Sequence, residues 1–134
     1  MQRRIGFLAF DGMQALDLFG PADVFASDVF LGRSLNGEVQ RGWPPYEITI
    51  IGLTGRQATT SGGVKIYADA LLDERMSLDT LIVPGGEGLR RRGVSERAAS
   101  WIAAHAARVR RIAAVCTGIY GIAPSAYRER FSSK

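Results

Sequence analysis

The sequence predicts an α/β fold, a parallel β-sheet with helices on its two faces. Short apolar runs that end in glycine-bearing turns alternate along the chain with stretches whose apolar residues recur at helical spacing. That alternation builds strand–helix–strand units joined by right-handed crossovers. The length of 134 residues, with 46% hydrophobic and 22% charged side chains, suits one globular domain with a proper core.

Arg4 to Phe10 reads as a buried strand, an apolar run bounded by charge and closed by the Asp11-Gly12 turn signal. In MQALDLFGPADVFASDVFLG, residues Leu16, Phe19, Val24, Phe25 and Val29 recur roughly at helical spacing. Pro21 suits a first helical turn, where its missing N–H has no partner to lose. Residues 33–45, rich in Gly, Asn, Arg and Pro, form a loop, and YEITIIGL then restores β-branched residues for a second strand. Within RQATTSGGVKIYADALLDE, Gly62-Gly63 separates two stretches rich in Thr, Val, Ile and Tyr, which predicts a hairpin or short edge excursion at the margin of the sheet. DTLIVPGGEG is another apolar strand running into glycines. Ser95 opens a helix over ERAASWIAAHAARV with Ala99, Ile102, Ala103, Ala106 and Val109 on one face, and RIAAVC is the last strand.

Charge and cysteine content narrow the function classes. The amino end, MQRRIGFLAFDG, holds too short an apolar run for a signal peptide or a bilayer span. A single cysteine makes no internal disulfide, which suits a reducing cytoplasm. One histidine, His105, excludes a histidine-rich metal site, and no spacing of acids and cysteine suggests zinc or calcium, so no metal and no cofactor is predicted. His105 falls within the Ala-rich helix, far from every predicted strand end, and reads as a helix-flank residue and not a catalytic base. Of the net charge of +4, half comes from the last ten residues through Arg128, Glu129, Arg130 and Lys134. The clusters Arg90-Arg91-Arg92 and Arg108, Arg110, Arg111 flank a predicted helix as solvated ends. Without a helix–turn–helix pattern, they do not predict direct DNA binding.

Sites in such sheets form beyond the carboxyl ends of the strands. Three loops qualify: Asp11 to Asp17, Pro84 to Gly88, and Cys116 to Gly118. If their strands are neighbours, Asp17, the Gly85-Gly86 backbone and Cys116 converge. Cys116 stands where strand gives way to helix, so unpaired N–H groups would favour its thiolate, as at a nucleophile elbow. The N–H of Thr117 would then face an oxyanion, Gly85-Gly86 would supply a second donor, and Gly118 would open the turn. Equally, Cys116 can be a small buried hydrophobe and the glycines mere turns. Asp17, within the apolar ALDLFG, is either a cleft carboxyl facing the sulfur or an N-cap or solvent-facing turn residue. Glu87 is a second cleft acid or a solvated surface residue.

Three phrases in order, LDLFGPADVF, DTLIVPGGEGL and RIAAVCTGIYGIAPS, resemble the ThiJ/PfpI group of the class I glutamine amidotransferase-like superfamily over residues 3–125. The resemblance implies a flavodoxin-like three-layer sandwich, with Cys116 as elbow cysteine, Asp17 as acidic partner, and Gly86 and Thr117 as backbone donors. With PYEITIIGLT, the wording is most similar to the amino-terminal domain of AraC-type transcriptional regulators, which implies a small-molecule-sensing domain. That domain would pair as a homodimer and reach DNA only through a carboxyl-terminal helix–turn–helix half outside this sequence. The alternative implied is a cysteine-dependent hydratase or hydrolase, similar to isonitrile hydratase. After Ser125 the resemblance stops. AYRERFSSK replaces the segment in which the family carries a histidine near the cysteine, so the expected organisation is a partial sensor domain over 1–125 and an atypical basic tail over 126–134. The sandwich is then incomplete at its carboxyl end, with an exposed sheet edge or apolar helix face, and a Cys-His catalytic pair is not expected.

Overall fold

The computed structural model describes residues 2–34, 46–73 and 75–118, without the side chains of residues 28–34. The predicted division at 125/126 and the basic tail lie outside them. Seven strands, β1 (Arg3–Ala9), β2 (Tyr46–Gly52), β3 (Gln57–Thr59), β4 (Lys65–Tyr67), β5 (Ala70–Leu71), β6 (Thr80–Val83) and β7 (Arg111–Ala114), accompany two helices, α1 (Ala15–Ser34) and α2 (Arg92–His105). Five strands form one sheet in the order β5-β2-β1-β6-β7, and all four pairings are parallel. The parallel sheet is therefore built as the sequence implies, with a helix in the connections from β1 to β2 and from β6 to β7, and β1 is its centre. From Ile5 to Phe10 every side chain position is buried, because a middle strand of a parallel sheet has helices or loops on both faces.

The glycine pair Gly62-Gly63 does turn a hairpin. β3 and β4 pair antiparallel from Gln57↔Tyr67 to Thr59↔Lys65, forming a separate two-stranded sheet, and the edge of the main sheet is the two-residue β5. No helix among the described residues is long and apolar enough to cross a membrane.

Both helices correct details of the sequence reading. α1 begins at Ala15, after the turn at Gly12 (φ 79°), so Pro21 lies inside the helix and not in its first turn. It has no N–H to give to the Asp17 carbonyl one turn earlier. The expected apolar face is also rotated: Leu16 and Val24 are 72% and 69% exposed and Phe19 is 41% exposed, whereas Leu18 is fully buried and Ala22 and Phe25 pack on the core. Residues 18, 22 and 25 follow the i, i+4, i+7 stripe that faces the sheet. Val29 lies outside the described side chains.

α2 starts three residues earlier than Ser95. That serine is buried within the helix, its hydroxyl donating to the Arg92 carbonyl at 3.2 Å instead of capping the end. The inward face is Ser95, Ala98, Trp101, Ile102 and His105, while Ala103 and Ala106 are exposed. His105 is thus a core residue and not a flank residue. Its Nδ1 lies 2.8 Å from the Trp101 carbonyl, and its ring stacks on the indole at 4.2 Å between centroids. Trp101 is anchored in turn by its Nε1–H, which donates to the Asp73 carbonyl at 3.1 Å.

Arg90, Arg91, Arg92, Arg108, Arg110 and Arg111 are exposed, as expected of helix-flanking charge. Arg110 does more than meet solvent. Its Nε and Nη2 grip the Asp79 carboxylate at 2.8 and 2.9 Å and tie the start of β7 to the start of β6. With Thr80 Oγ1 donating at 2.8 Å and Arg3 at 4.0 Å, the Arg110 bond is the main cause holding the Asp79 carboxyl down, from 3.8 to about 2.

Candidate functional site

From β1 the chain crosses to β2 on one side, and from β6 it crosses to β7 on the other. β1 and β6 therefore flank the topological switch, beyond whose carboxyl ends doubly wound sheets open a ligand crevice. The loop after β1, the turn after β6 and the bend after β7 all leave the sheet at that end.

Their residues meet over Gly85. Its N–H donates to Asp17 Oδ2 at 3.1 Å, the Gly86 N–H donates to Thr117 Oγ1 at 2.9 Å, and the Gln14 N–H donates to the Gly85 carbonyl at 2.8 Å. A Cβ on Gly85 would stand 2.7 Å from Thr117 Oγ1 and 2.9 Å from both Asp17 Oδ2 and the Thr117 nitrogen. A carboxylate from the first turn of α1 and the amide after the cysteine thus share the space that a missing side chain leaves. Gly86 adopts φ 132°, a conformation open to glycine, and a Cβ there would collide with the Gly12 carbonyl oxygen.

Cys116 is the one non-glycine residue with positive φ (53°) among the described residues. A left-handed conformation costs an L-residue roughly 1–2 kcal/mol, and it persists where surrounding bonds over-determine it. Those bonds are visible: the Val115 N–H donates to the Val83 carbonyl at 3.0 Å, and the Gly118 N–H donates back to the Val115 carbonyl at 2.8 Å. Gly118 is buried directly against the Val83 carbonyl, where a Cβ would not fit. The bend, a 3₁₀ turn over Cys116–Gly118, leaves the free cysteine exposed. The alternative of a buried structural cysteine does not describe it.

Asp17 and Thr117 thus both close on the Gly85-Gly86 backbone, Gly118 packs on Val83, and Cys116 adjoins Thr117 in the chain. Asp17 is half-buried in the first turn of α1, where it accepts from Gly85 and is not the N-cap residue. The two glycine N–H groups, expected to face a ligand, are spent on Asp17 and Thr117. Glu87 is exposed and pairs with Arg90 at 3.4 Å, outside this cluster. No motif in the sequence marks Gln14. Its contact is through the backbone, which no residue type signals.

Comparison with known proteins places the family and the fold. The model of the DJ-1/PfpI family matches residues 3–129. An uncharacterized protein in the cpoL 5' region of Streptomyces lividans is 33% identical over 117 residues, which are 87% of this chain and 75% of that protein. Isonitrile hydratase of Pseudomonas putida is 30% identical over 88% of the chain and 45% of the enzyme. The HTH-type transcriptional regulator GbdR of Pseudomonas aeruginosa is 31% identical over 89% of the chain, but only 30% of the regulator is covered. Among solved structures, a THiJ/PfpI family protein from Pseudomonas syringae superposes with TM-score 0.63 at 24% identity, covering 89% of this chain and 44% of that one. An AraC family transcriptional regulator from Pseudomonas putida superposes with TM-score 0.66 at 18% identity, covering 90% and 59%. At these identities the structures share the fold. The chain spans less than half the length of the hydratase and of the regulator GbdR.

Proposed function

The chain belongs to the DJ-1/PfpI family, and from that premise we propose that it is a small-molecule-sensing domain of the AraC-type regulator kind. Its ligand would settle beyond the carboxyl ends of β1, β6 and β7, beside Cys116, Asp17 and Thr117, over the Gly85, Gly86 and Gly118 backbone that holds them. Asp17 would hydrogen-bond a polar ligand group, and the exposed Cys116 thiol would contact the ligand directly. The similarity to GbdR supports the regulator kind, with DNA reached only through a helix–turn–helix part outside this sequence. A reducing cytoplasm suits a free thiol in that role, and pairing of two copies would carry a ligand signal to a two-fold DNA site.

The observation that carries sensing over turnover is the state of the two glycine amides. Both N–H groups already serve Asp17 and Thr117, so an oxyanion would find neither of them available without rearrangement, and His105 is locked in the core by Trp101. The second reading is a cysteine-dependent hydratase acting on a carbon–nitrogen substrate. It is favoured by the left-handed Cys116 beside a carboxylate and by the similarity to isonitrile hydratase. Incubation with an alkyl isonitrile separates the two. Under the sensing reading no formamide accumulates beyond one equivalent of protein. Catalytic formamide formation that Cys116→Ser abolishes would replace that reading with the enzyme.

A further inference from the structure

The hairpin β3–β4 stands apart from the main sheet, yet it is bound at several points to the loop that carries Gln14 and leads into Asp17 in the first turn of α1. The Gly12 N–H donates to the Thr59 carbonyl at 2.8 Å, and the Ser61 N–H donates to the Met13 carbonyl at 2.8 Å. The Ser61 hydroxyl lies 3.2 Å from Gln14 Oε1. On its other side the same loop is bound to the site: the Gln14 N–H donates to the Gly85 carbonyl, and the Asp17 N–H donates to the Gln14 carbonyl at 3.1 Å. The Gly88 N–H also reaches the Gly12 carbonyl at 3.0 Å. Each of these joins uncharged partners. The charged member of the set is Asp11, half-buried, whose Oδ1 accepts from the Thr59 N–H at 2.9 Å while its own N–H donates to Thr54 Oγ1 at 3.1 Å. A bond to an ionised acceptor is about twice as strong as a neutral one.

We propose that Asp11 is the positioning residue of the site: its carboxylate clamps the β3–β4 hairpin onto the loop after β1, and that loop sets Gln14 and Asp17 against Gly85. Asp11 touches no ligand and acts through Asp17. This deepens the sensing reading and rests on it for its functional meaning, while the mechanical coupling stands on the hydrogen bonds alone.

Amide hydrogen exchange followed residue by residue by NMR on the full chain tests it, with Asp11→Ala and Asp11→Asn beside the parent. Asn keeps an oxygen where Oδ1 stands, and Ala removes it. Expected in Asp11→Ala is exchange accelerated roughly ten-fold or more, the loss of a bond to a charged acceptor, at the Gln14 and Gly85 amides as well as at Thr59 and Ser61. Asp11→Asn, which keeps the oxygen but not the charge, should restore part of the protection at all four. Acceleration confined to Thr59 and Ser61 would make Asp11 a hairpin staple only and overturn the proposal, as would equal behaviour of the Ala and Asn variants. If Asp11→Ala does not fold, Asp11→Glu, which displaces the acceptor by one methylene, takes its place with the same comparison. Iodoacetamide alkylation of Cys116 in the same variants separates the two levels. Unchanged alkylation with accelerated Gln14 and Gly85 exchange upholds the positioning and counts against the ligand-site reading.

Discussion

Replacing Gly85 by alanine strikes the point where the three loops meet. The added methyl would sit 2.7 Å from Thr117 Oγ1, 2.9 Å from Asp17 Oδ2 and 2.9 Å from the Thr117 nitrogen. The two side-chain ends can rotate away, at the expense of the Gly85–Asp17 and Gly86–Thr117 hydrogen bonds. The nitrogen can retreat only if the whole Cys116–Gly118 bend moves. Overpacking of this kind costs about 1–3 kcal/mol, and a hydrogen bond to a carboxylate is worth about 1.5–3 kcal/mol net. The two losses overlap, because relieving the clash is what breaks the bond, so the expected destabilisation is about 2–3 kcal/mol. With a urea m-value of about 2 kcal/mol per M, the unfolding midpoint falls by roughly 1–1.5 M. Gly62→Ala is the control, since nothing lies within 4 Å of its new methyl, and a free surface position of this kind shifts stability by about 0.5 kcal/mol or less. Equal urea midpoints for the two variants would refute the convergence of Asp17 and Thr117 over Gly85.

Other outcomes follow from the same contacts. Leu18→Ala should cost about 2–5 kcal/mol as a core truncation, whereas Leu16→Ala, at a position 72% exposed, should stay within about 0.5 kcal/mol. Urea titration of both variants checks which face of α1 meets the sheet. Asp79 has its carboxyl held down from 3.8 to about 2, chiefly by Arg110, so its contribution is present above pH 3.8 and fades as the pH falls towards 2. Asp79→Asn should lower the melting temperature at pH 6, and the difference from the parent should shrink below pH 3.8 and vanish below pH 2. A constant difference across that window would contradict the linkage. Trp101→Phe should cost about 1 kcal/mol for the lost bond to the Asp73 carbonyl, read as a shift in thermal midpoint.

The parts of the fold that were legible in the sequence are those written in short, strong patterns. Ile5 to Phe10 is an unbroken apolar run because β1 is buried on both faces, and Gly62-Gly63 announces its hairpin through residues that turn cheaply. The faces of the helices were less legible. Apolar residues surround α1 on several sides, so periodicity alone could not choose Leu18 over Leu16, and the choice was made by packing on the sheet. In α2 the small alanines mark no side strongly, and the buried stripe is set by Trp101 and His105, of which the histidine looks polar in sequence but finds both a carbonyl and an indole to meet. At the candidate site, the residue types Asp, Gly-Gly and Cys-Thr-Gly could be picked out from their places after apolar runs. The direction in which the glycine amides donate could not, because it depends on how Asp17 and Thr117 close over them. Gln14 and Asp11 act through backbone partners, and their roles emerge only when the hairpin and the loop are seen side by side.

The most direct check of the whole account is to alkylate Cys116 with iodoacetamide and map amide chemical-shift changes. If the thiol opens onto the crevice between β1 and β6, the Asp17, Gly85, Gly86 and Thr117 amides shift together. Changes confined to residues 115–118, with residues 17, 85 and 86 silent, would contradict a shared site.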